Sequence, residues 1–169
     1  PLHDASRNGQ VDSAALLLQL SADVDAQENE GRTACWEAAG DGHDRVVRLL
    51  ISARASFIAN SNGATPVFVA AAFGHDRVIV TLAKARASID QADNGGWIPL
   101  SIAAHQKHEN VVRLLAHLGA RLMRFDGYGF WLSYLDDDTR RQMHVFWSRI
   151  IAAGGDEPTE ESRRIRRRM

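Results

Sequence analysis

The pentapeptide GHDRV occurs twice in the chain, at Gly42–Val46 and again at Gly74–Val78. The match extends well beyond five residues when the sequence is aligned with itself, because four segments with the same order of polar and apolar residues align without a gap. The first position of the motif is occupied by Gly9, Gly42, Gly74 and Lys107. The steps of 33, 32 and 33 residues between these positions indicate four copies of one structural unit.

Each unit has the pattern of two short helices joined by a tight turn. Thr33 and Thr65 are predicted N-caps, and Pro66 and Pro99 occupy the first helical position, where a missing N–H costs nothing. In the second half of a unit, apolar residues recur at helical spacing, as in residues 46–50. The first helix of the later units also contains pairs of small residues that allow close helix packing, namely Ala38, Ala39, Ala70, Ala71, Ala103 and Ala104. The sequence therefore predicts an all-α fold.

A second block, which precedes each of these segments, reads PLHDASR, TACWEAAG, TPVFVAAA and IPLSIAAH. In order of blocks and in unit length the chain resembles the ankyrin repeat, which carries a T-P-L-H motif before its first helix. The stretch Pro1–His3 looks like that motif without its threonine, and residues 65–68 and 98–101 are looser copies. Thr33–Trp36 departs most, with Ala34 for proline and Trp36 for histidine. The resemblance implies a solenoid of stacked helix-turn-helix units with short hairpin-like loops.

The chain divides into three predicted regions. Residues 1–122 form about four ankyrin-like repeats, the first of which is truncated at its start, so residues are expected upstream of Pro1. Residues 123–153 are interpreted as a degenerate repeat and a capping helix, and residues 154–169 as a charged, arginine-rich tail. The predicted cap helix has an apolar stripe formed by Met143, Phe146, Trp147, Ile150 and Ile151. That stripe either covers the fourth repeat or docks a partner.

Composition limits the classes of partner and compartment. A net charge of −1 over 169 residues excludes a global field that would attract nucleic acid or an anionic membrane. No apolar stretch approaches the roughly 18 residues of a membrane span. The single cysteine, Cys35, forms no internal disulfide, which fits an intracellular, reducing compartment such as the cytoplasm or nucleus. Because the start of the chain is interpreted as incomplete, a location inside an organelle stays an open alternative.

The histidines raise the possibility of a metal site, above all at His105, His108 and His117. However, His108 shares its repeated position with His43 and His75, which favours a structural role in the turn. The pair His105 and His108 also lacks the third and fourth ligands that a structural zinc ion needs. The sequence therefore predicts no metal and no cofactor.

Catalytic motifs are not found in the sequence. There is no phosphate-binding loop of the G-x-x-x-x-G-K type, no G-x-S-x-G elbow and no dinucleotide fingerprint. The His-Asp-Arg trio within GHDRV is interpreted as scaffold, because Asp44 and Arg45 are predicted in the first turn of a helix with both side chains facing solvent. The chain is accordingly predicted not to be an enzyme.

What the resemblance implies is a concave binding surface formed by the loop tips between units and the exposed side of each first helix. Phe73 and Trp97 stand out there, because large aromatic side chains often supply most of the binding energy of an interface. The alternative for both is that the ring packs onto the neighbouring unit. Ala64 falls on the same surface. The candidate partner-binding residues are Arg32, Asp41, Asn62, Phe73, Asn94, Trp97, His105 and Gln106.

Three functions are compared on these grounds. The leading hypothesis is a non-catalytic protein–protein interaction module, and the alternative is a structural accessory subunit embedded in a larger multiprotein assembly. Nucleic-acid contact through the tail is the third and is less favoured, because a few arginines give modest, salt-sensitive binding. The possible second contact consists of Arg163, Arg164, Arg166, Arg167 and Arg168. The alternative for this tail is a solvated end whose arginines pair with Glu157, Glu160 and Glu161.

Overall fold

A computed structural model describes residues 1–120 of the chain as four helix pairs. The eight helices of this region are α1 Leu2–Arg7, α2 Val11–Gln19, α3 Ala34–Gly40, α4 Asp44–Ser52, α5 Pro66–Ala72, α6 Asp76–Lys84, α7 Pro99–His105 and α8 Glu109–His117. The predicted all-α solenoid of helix-turn-helix units is thereby confirmed. The predicted capping helix of residues 123–153 and the arginine tail of residues 154–169 lie outside the described residues.

The units stack so that equivalent helices contact each other. The first helices α1, α3, α5 and α7 pack in succession, and the second helices α2, α4, α6 and α8 form a parallel row behind them. Ala38 and Ala70 are completely buried between first helices, where their small side chains allow close approach. In the second row, Val46 and Leu50 are completely buried, whereas Leu49 is half-buried. A single helix pair could not bury these residues, so each unit depends on its neighbours.

The starts of the first helices follow the prediction. The Thr33 hydroxyl oxygen accepts a hydrogen bond from the Trp36 N–H at 3.2 Å, and that of Thr65 accepts one from the Phe68 N–H at 3.1 Å. Such N-caps satisfy backbone donors that have no partner within the helix. In the fourth unit the corresponding residue is Ile98, and there the Ser101 hydroxyl instead accepts from the Ile98 N–H at 3.0 Å.

The repeated GHDRV stretch joins successive units through its glycine and histidine. Gly42 has a left-handed φ of 77°, and a Cβ atom at this position would lie 2.7 Å from Nδ1 of His75 in the next unit. Held against that glycine, the His75 ring donates a hydrogen bond from Nε2–H to the Gly40 carbonyl at 2.8 Å. Equivalent bonds join His43 to the Arg7 carbonyl and His108 to the Ala72 carbonyl. The motif is therefore a connection between units.

The prediction that Asp44, the acid of the first GHDRV copy, faces solvent is wrong. Its side chain is only 19% exposed and accepts hydrogen bonds from the Thr81 hydroxyl and from Nε of Arg48, the latter at 2.9 Å. The cause is the packing of α6 against α4, which places Thr81 of the next unit beside the helix start. Arg45 is exposed, as predicted.

Cys35 is completely buried in α3 and is expected to be inert in the folded protein. Burial, reinforced by the charge of Asp25, raises the pKa of the thiol from 9.0 to about 12, so the reactive thiolate is scarce at neutral pH. At pH 8 we expect a soluble aryl disulfide to label the native chain at least about 1,000-fold more slowly than the guanidinium-unfolded chain. The single cysteine makes the assay unambiguous. Rapid labelling of the native protein would show that the α3 interface opens readily.

Candidate interaction surface

The loop tips that precede the first helices form a continuous row. Each tip closes as a hairpin-like turn through a backbone hydrogen bond of 2.9 to 3.0 Å between Glu28 and Arg32, Asn60 and Ala64, or Asp93 and Trp97. Neighbouring tips are joined by the bonds from the Ser61 N–H to the Glu30 carbonyl and from the Asn94 N–H to the Asn62 carbonyl, both 2.9 Å long. We call these tips, together with the first helices and their C-caps, the candidate face.

The eight residues predicted to bind a partner all fall on the candidate face. Phe73 is 62% exposed. Arg32 and Trp97 are half-buried, whereas the remaining five are exposed, namely Asp41, Asn62, Asn94, His105 and Gln106. The expectation that the Ala64 side chain is exposed on the binding surface is wrong, because Ala64 is buried. Its carbonyl accepts hydrogen bonds from the backbone N–H of Asn60 and from the Trp36 indole.

The structure brings two of the predicted residues into contact at the fourth unit and places a third one unit earlier. The rings of Trp97 and His105 meet edge to face, with centroids 5.3 Å apart and planes at 73°. Phe73 is the C-cap of α5, and the matching C-cap of α7 is Gln106, which follows His105 directly. Because α5 and α7 pack side by side, with axes about 8–10 Å apart, Phe73 and His105 lie near equivalent ends of neighbouring helices. We call Phe73, Trp97 and His105 the aromatic patch of the candidate face.

Asn94 has a structural contact that sequence reasoning did not foresee. Its Nδ2 donates to the Ser61 carbonyl at 3.0 Å, in addition to the backbone bond to Asn62. The side chain therefore holds two loop tips in register. An asparagine next to glycine is typical of a turn, but the hydrogen-bond partner of this side chain is on another unit.

Glu37 and its two arginines form an ion-pair cluster on the candidate face. The side chain of Glu37 is only 4% exposed and accepts hydrogen bonds from Nη2 and Nε of Arg7 at 2.6 and 3.0 Å. Nε of Arg32 lies 3.2 Å from the same carboxylate, and Arg32 also pairs with Glu28 and Glu30. Both arginines are thus already engaged by carboxylates of the chain.

Electrostatics favour the protonated form of both arginines in this cluster. The hydrogen bond from Arg7 to Glu37 and the charge of that carboxylate raise the pKa of Arg7 above its ordinary value. Burial lowers the pKa of Arg32. The hydrogen bond to Glu28 and the charges of the nearby carboxylates raise it by more, so the net shift of this pKa is upward. Sequence reasoning missed Glu37. One sequence signal pointed to Glu37. It is an acid at a first-helix position that the next two units fill with the apolar residues Val69 and Ile102.

The departure of Trp36 from the T-P-L-H pattern has a structural explanation. Nε2 of His3 is hydrogen-bonded to the Arg32 carbonyl at 3.0 Å. One unit later, the indole N–H of Trp36 donates to the Ala64 carbonyl at 2.9 Å, which is the equivalent bond. The Arg32 guanidinium lies 5.4 Å from the Trp36 ring centroid, a cation–π distance. Tryptophan therefore replaces the histidine donor and adds a contact to the ion-pair cluster.

Charge is distributed unevenly between the two rows of helices. Within residues 1–120, the only arginines or lysines of the candidate face are Arg7 and Arg32. Its carboxylates are Asp4, Glu28, Glu30, Glu37, Asp41 and Asp93. The second helices carry the opposite balance, with Arg45, Arg48, Arg77, Lys84 and Arg113 against Asp12, Asp44, Asp76 and Glu109. The candidate face is therefore acidic.

The described residues contain no candidate metal site and no candidate membrane span. In residues 1–120 no three histidine, cysteine, aspartate or glutamate side chains cluster so that they could hold a metal ion. Of the histidines considered as ligands, His108 is bonded to the Ala72 carbonyl and His105 contacts Trp97. None of the helices in the same region is both long and apolar enough to cross a membrane.

Comparisons with known proteins agree with this geometry. A family model described as "Ankyrin repeats (3 copies)" matches residues 2–93 and 54–126. A rice protein named "Probable E3 ubiquitin-protein ligase XBOS33" is 39% identical over 56 residues, which are 33% of this chain and 11% of the rice protein. The human "Transient receptor potential cation channel subfamily A member 1" is 36% identical over 66 residues, 37% of this chain and 6% of the channel. The matches thus cover only a small fraction of either relative.

Proposed function

Because the chain belongs to the ankyrin repeat family, whose repeats generally mediate protein–protein interaction, we propose that it is a non-catalytic interaction module that binds a partner protein on the candidate face. The observation that carries the proposal is the aromatic patch of Phe73, Trp97 and His105 on this face. Phe73 is more than half exposed, although it is a large apolar side chain. Aromatic residues at such positions are typical anchors of interfaces.

The non-catalytic part of the proposal rests on the kind of domain and on the chemistry of its surface. Ankyrin repeat domains are generally non-catalytic. The ion-pair cluster is fully paired and buried at its centre, as expected of a scaffold. The rice relative is named as a ligase, but the match covers 11% of that protein, so we propose no ligase activity for this chain.

The proposal is tested by the variants Phe73→Ala and Trp97→Ala. We expect each variant to lose most of the proteins that wild-type chain captures in cross-linking experiments read by quantitative mass spectrometry, because hot-spot aromatics cost about 2 kcal/mol or more when truncated. The melting temperature should stay nearly constant for Phe73→Ala, since its ring is largely exposed.

Leu16→Ala is the matched control, because Leu16 is an exposed apolar residue of α2, away from the candidate face. Capture that falls equally with Leu16→Ala would contradict binding at the candidate face. Unfolding of both aromatic variants would show that these rings are core residues and not anchors.

A structural accessory subunit is the second candidate function, and the exposed Leu16 of α2 and Leu20 at its C-cap favour it. Two exposed leucines at one short helix provide an apolar surface that a permanent neighbour would cover. The mass of the purified chain in solution distinguishes the two functions. A monomer at about 10 μM supports a recruitment module, whereas aggregation relieved by Leu20→Ser supports an embedded subunit.

A further inference from the structure

We infer that the partner segment combines a large apolar side chain with basic side chains, the apolar group seated beside Phe73 and the basic groups beside Asp41 and Glu30. This inference rests on the proposed function and specifies the chemistry of the partner. It draws on two independent features of the candidate face, which are its exposed aromatic patch and its excess of carboxylates over basic side chains.

The aromatic patch sets the requirement for an apolar group. Phe73 projects from the end of α5 with most of its ring exposed, and His105, the last residue of α7, lies at the equivalent end of the next first helix with the Trp97 ring against it. Burial of apolar area on binding is favourable, and aromatic rings prefer offset or edge-to-face contacts with other rings. A leucine, phenylalanine or tryptophan of the partner would therefore gain most at this place.

The excess of carboxylates sets the requirement for basic groups. Arg7 and Arg32 are paired with Glu37, and Arg32 also with Glu28 and Glu30, so neither arginine is available to an acidic partner. In contrast, Asp41 is exposed, and Glu30, although it pairs with Arg32, is 70% exposed. Complementary charge increases association rates, and like charges placed together are costly. A basic segment is therefore favoured over an acidic or phosphorylated one.

The order of the units sets the direction of the segment. The exposed carboxylates Glu30 and Asp41 lie in the second unit, whereas the exposed Phe73 lies in the third unit and the Trp97–His105 pair in the fourth. The accessible part of the candidate face thus changes from acidic to aromatic along the stack. A partner segment that spans the stack would place its basic residues over the second unit and its apolar residue over the last two.

Selection from a random display library of 12-residue peptides on the full chain tests this inference. We expect the enriched peptides to combine lysine or arginine with leucine, phenylalanine or tryptophan. Resynthesised peptides are then measured by fluorescence anisotropy at two salt concentrations, because a charge-dependent complex weakens as salt increases.

Variants of the chain assign the two halves of the site. Phe73→Ala is expected to weaken peptide binding by about 30-fold or more, as for an interface hot spot. The double variant Asp41→Asn with Glu30→Gln should weaken it by about 3- to 10-fold and reduce its salt dependence. Asp76→Asn, which removes an exposed carboxylate on α6, is the matched control and should have no effect.

The outcomes separate this inference from the proposed function. Enrichment of acidic peptides, or binding that depends on Phe73 but not on Asp41 and Glu30, would overturn the basic requirement while the interaction module stands. Binding that is insensitive to Phe73 and to both carboxylates would overturn both. Failure to enrich any peptide would overturn recognition of a short basic and apolar segment.

Discussion

Replacement of Ala103 by aspartate is expected to lower the free energy of unfolding by about 3–5 kcal/mol. Ala103 is completely buried in α7, between helices that approach closely because the residue is small. An aspartate there would place an unpaired carboxylate in an apolar interface, and desolvation of such a group is costly. Because domains are typically stable by only about 5–15 kcal/mol, a large part of this stability would be lost. Urea unfolding followed by circular dichroism measures the change.

Ala92→Asp is the control for this prediction, because it makes the same substitution at an exposed loop residue. Surface substitutions of this kind usually stay within about 0.5 kcal/mol. A loss below about 1 kcal/mol for Ala103→Asp would contradict the tight first-helix interface. A large loss in both variants would point to a general effect of added negative charge.

The second large effect is expected for Gly42→Ala, which should cost about 2–4 kcal/mol. The left-handed φ of Gly42 strains any residue with a Cβ atom, and that atom would meet the His75 ring at 2.7 Å. The ring would have to move, and its hydrogen bond to the Gly40 carbonyl would be lost. The substitution therefore tests the connection between units directly.

Gly96→Ala separates backbone strain from the clash with histidine. Gly96 has a similar φ of 81°, but no heavy atom lies within 4 Å of the position that its Cβ would occupy. We expect about 1–2 kcal/mol for this variant from strain alone. The combination of Gly42→Ala with His75→Ala should cost less than the sum of the two single variants, because the clash disappears. Equal costs for Gly42→Ala and Gly96→Ala would show that the histidine contact contributes nothing.

Much of the fold could be predicted from short-range patterns. The threonine N-caps, the prolines at first helical positions and the apolar spacing of the second helices depend on residues a few positions apart. Each of these local predictions is confirmed for Thr33, Thr65, Pro66 and Pro99. The boundary at residue 122 and the roles of the C-terminal cap and tail stay predictions.

The candidate site was predictable only in outline. Variable positions of the repeat placed Phe73 and Trp97 on one face, and Phe73 is indeed exposed. The edge-to-face contact of Trp97 with His105 and the bridge from Asn94 to the neighbouring loop tip were not predictable, because each depends on the exact angle at which a loop tip packs. Arg32 was predicted as a partner-binding residue, and its place within the ion-pair cluster could not be read from the sequence.

The sequence by itself determined the units, their helices and their order, because helix caps, turns and apolar periodicity act over distances of a few residues. Only the tertiary structure showed which side chains join one unit to the next. The bonds from His75 to Gly40, from Thr81 to Asp44 and from Arg7 to Glu37 connect residues 35, 37 and 30 positions apart. Such pairs form only when stacked units bring distant residues together, and the charge and aromatic pattern of the candidate face arises from the same stacking.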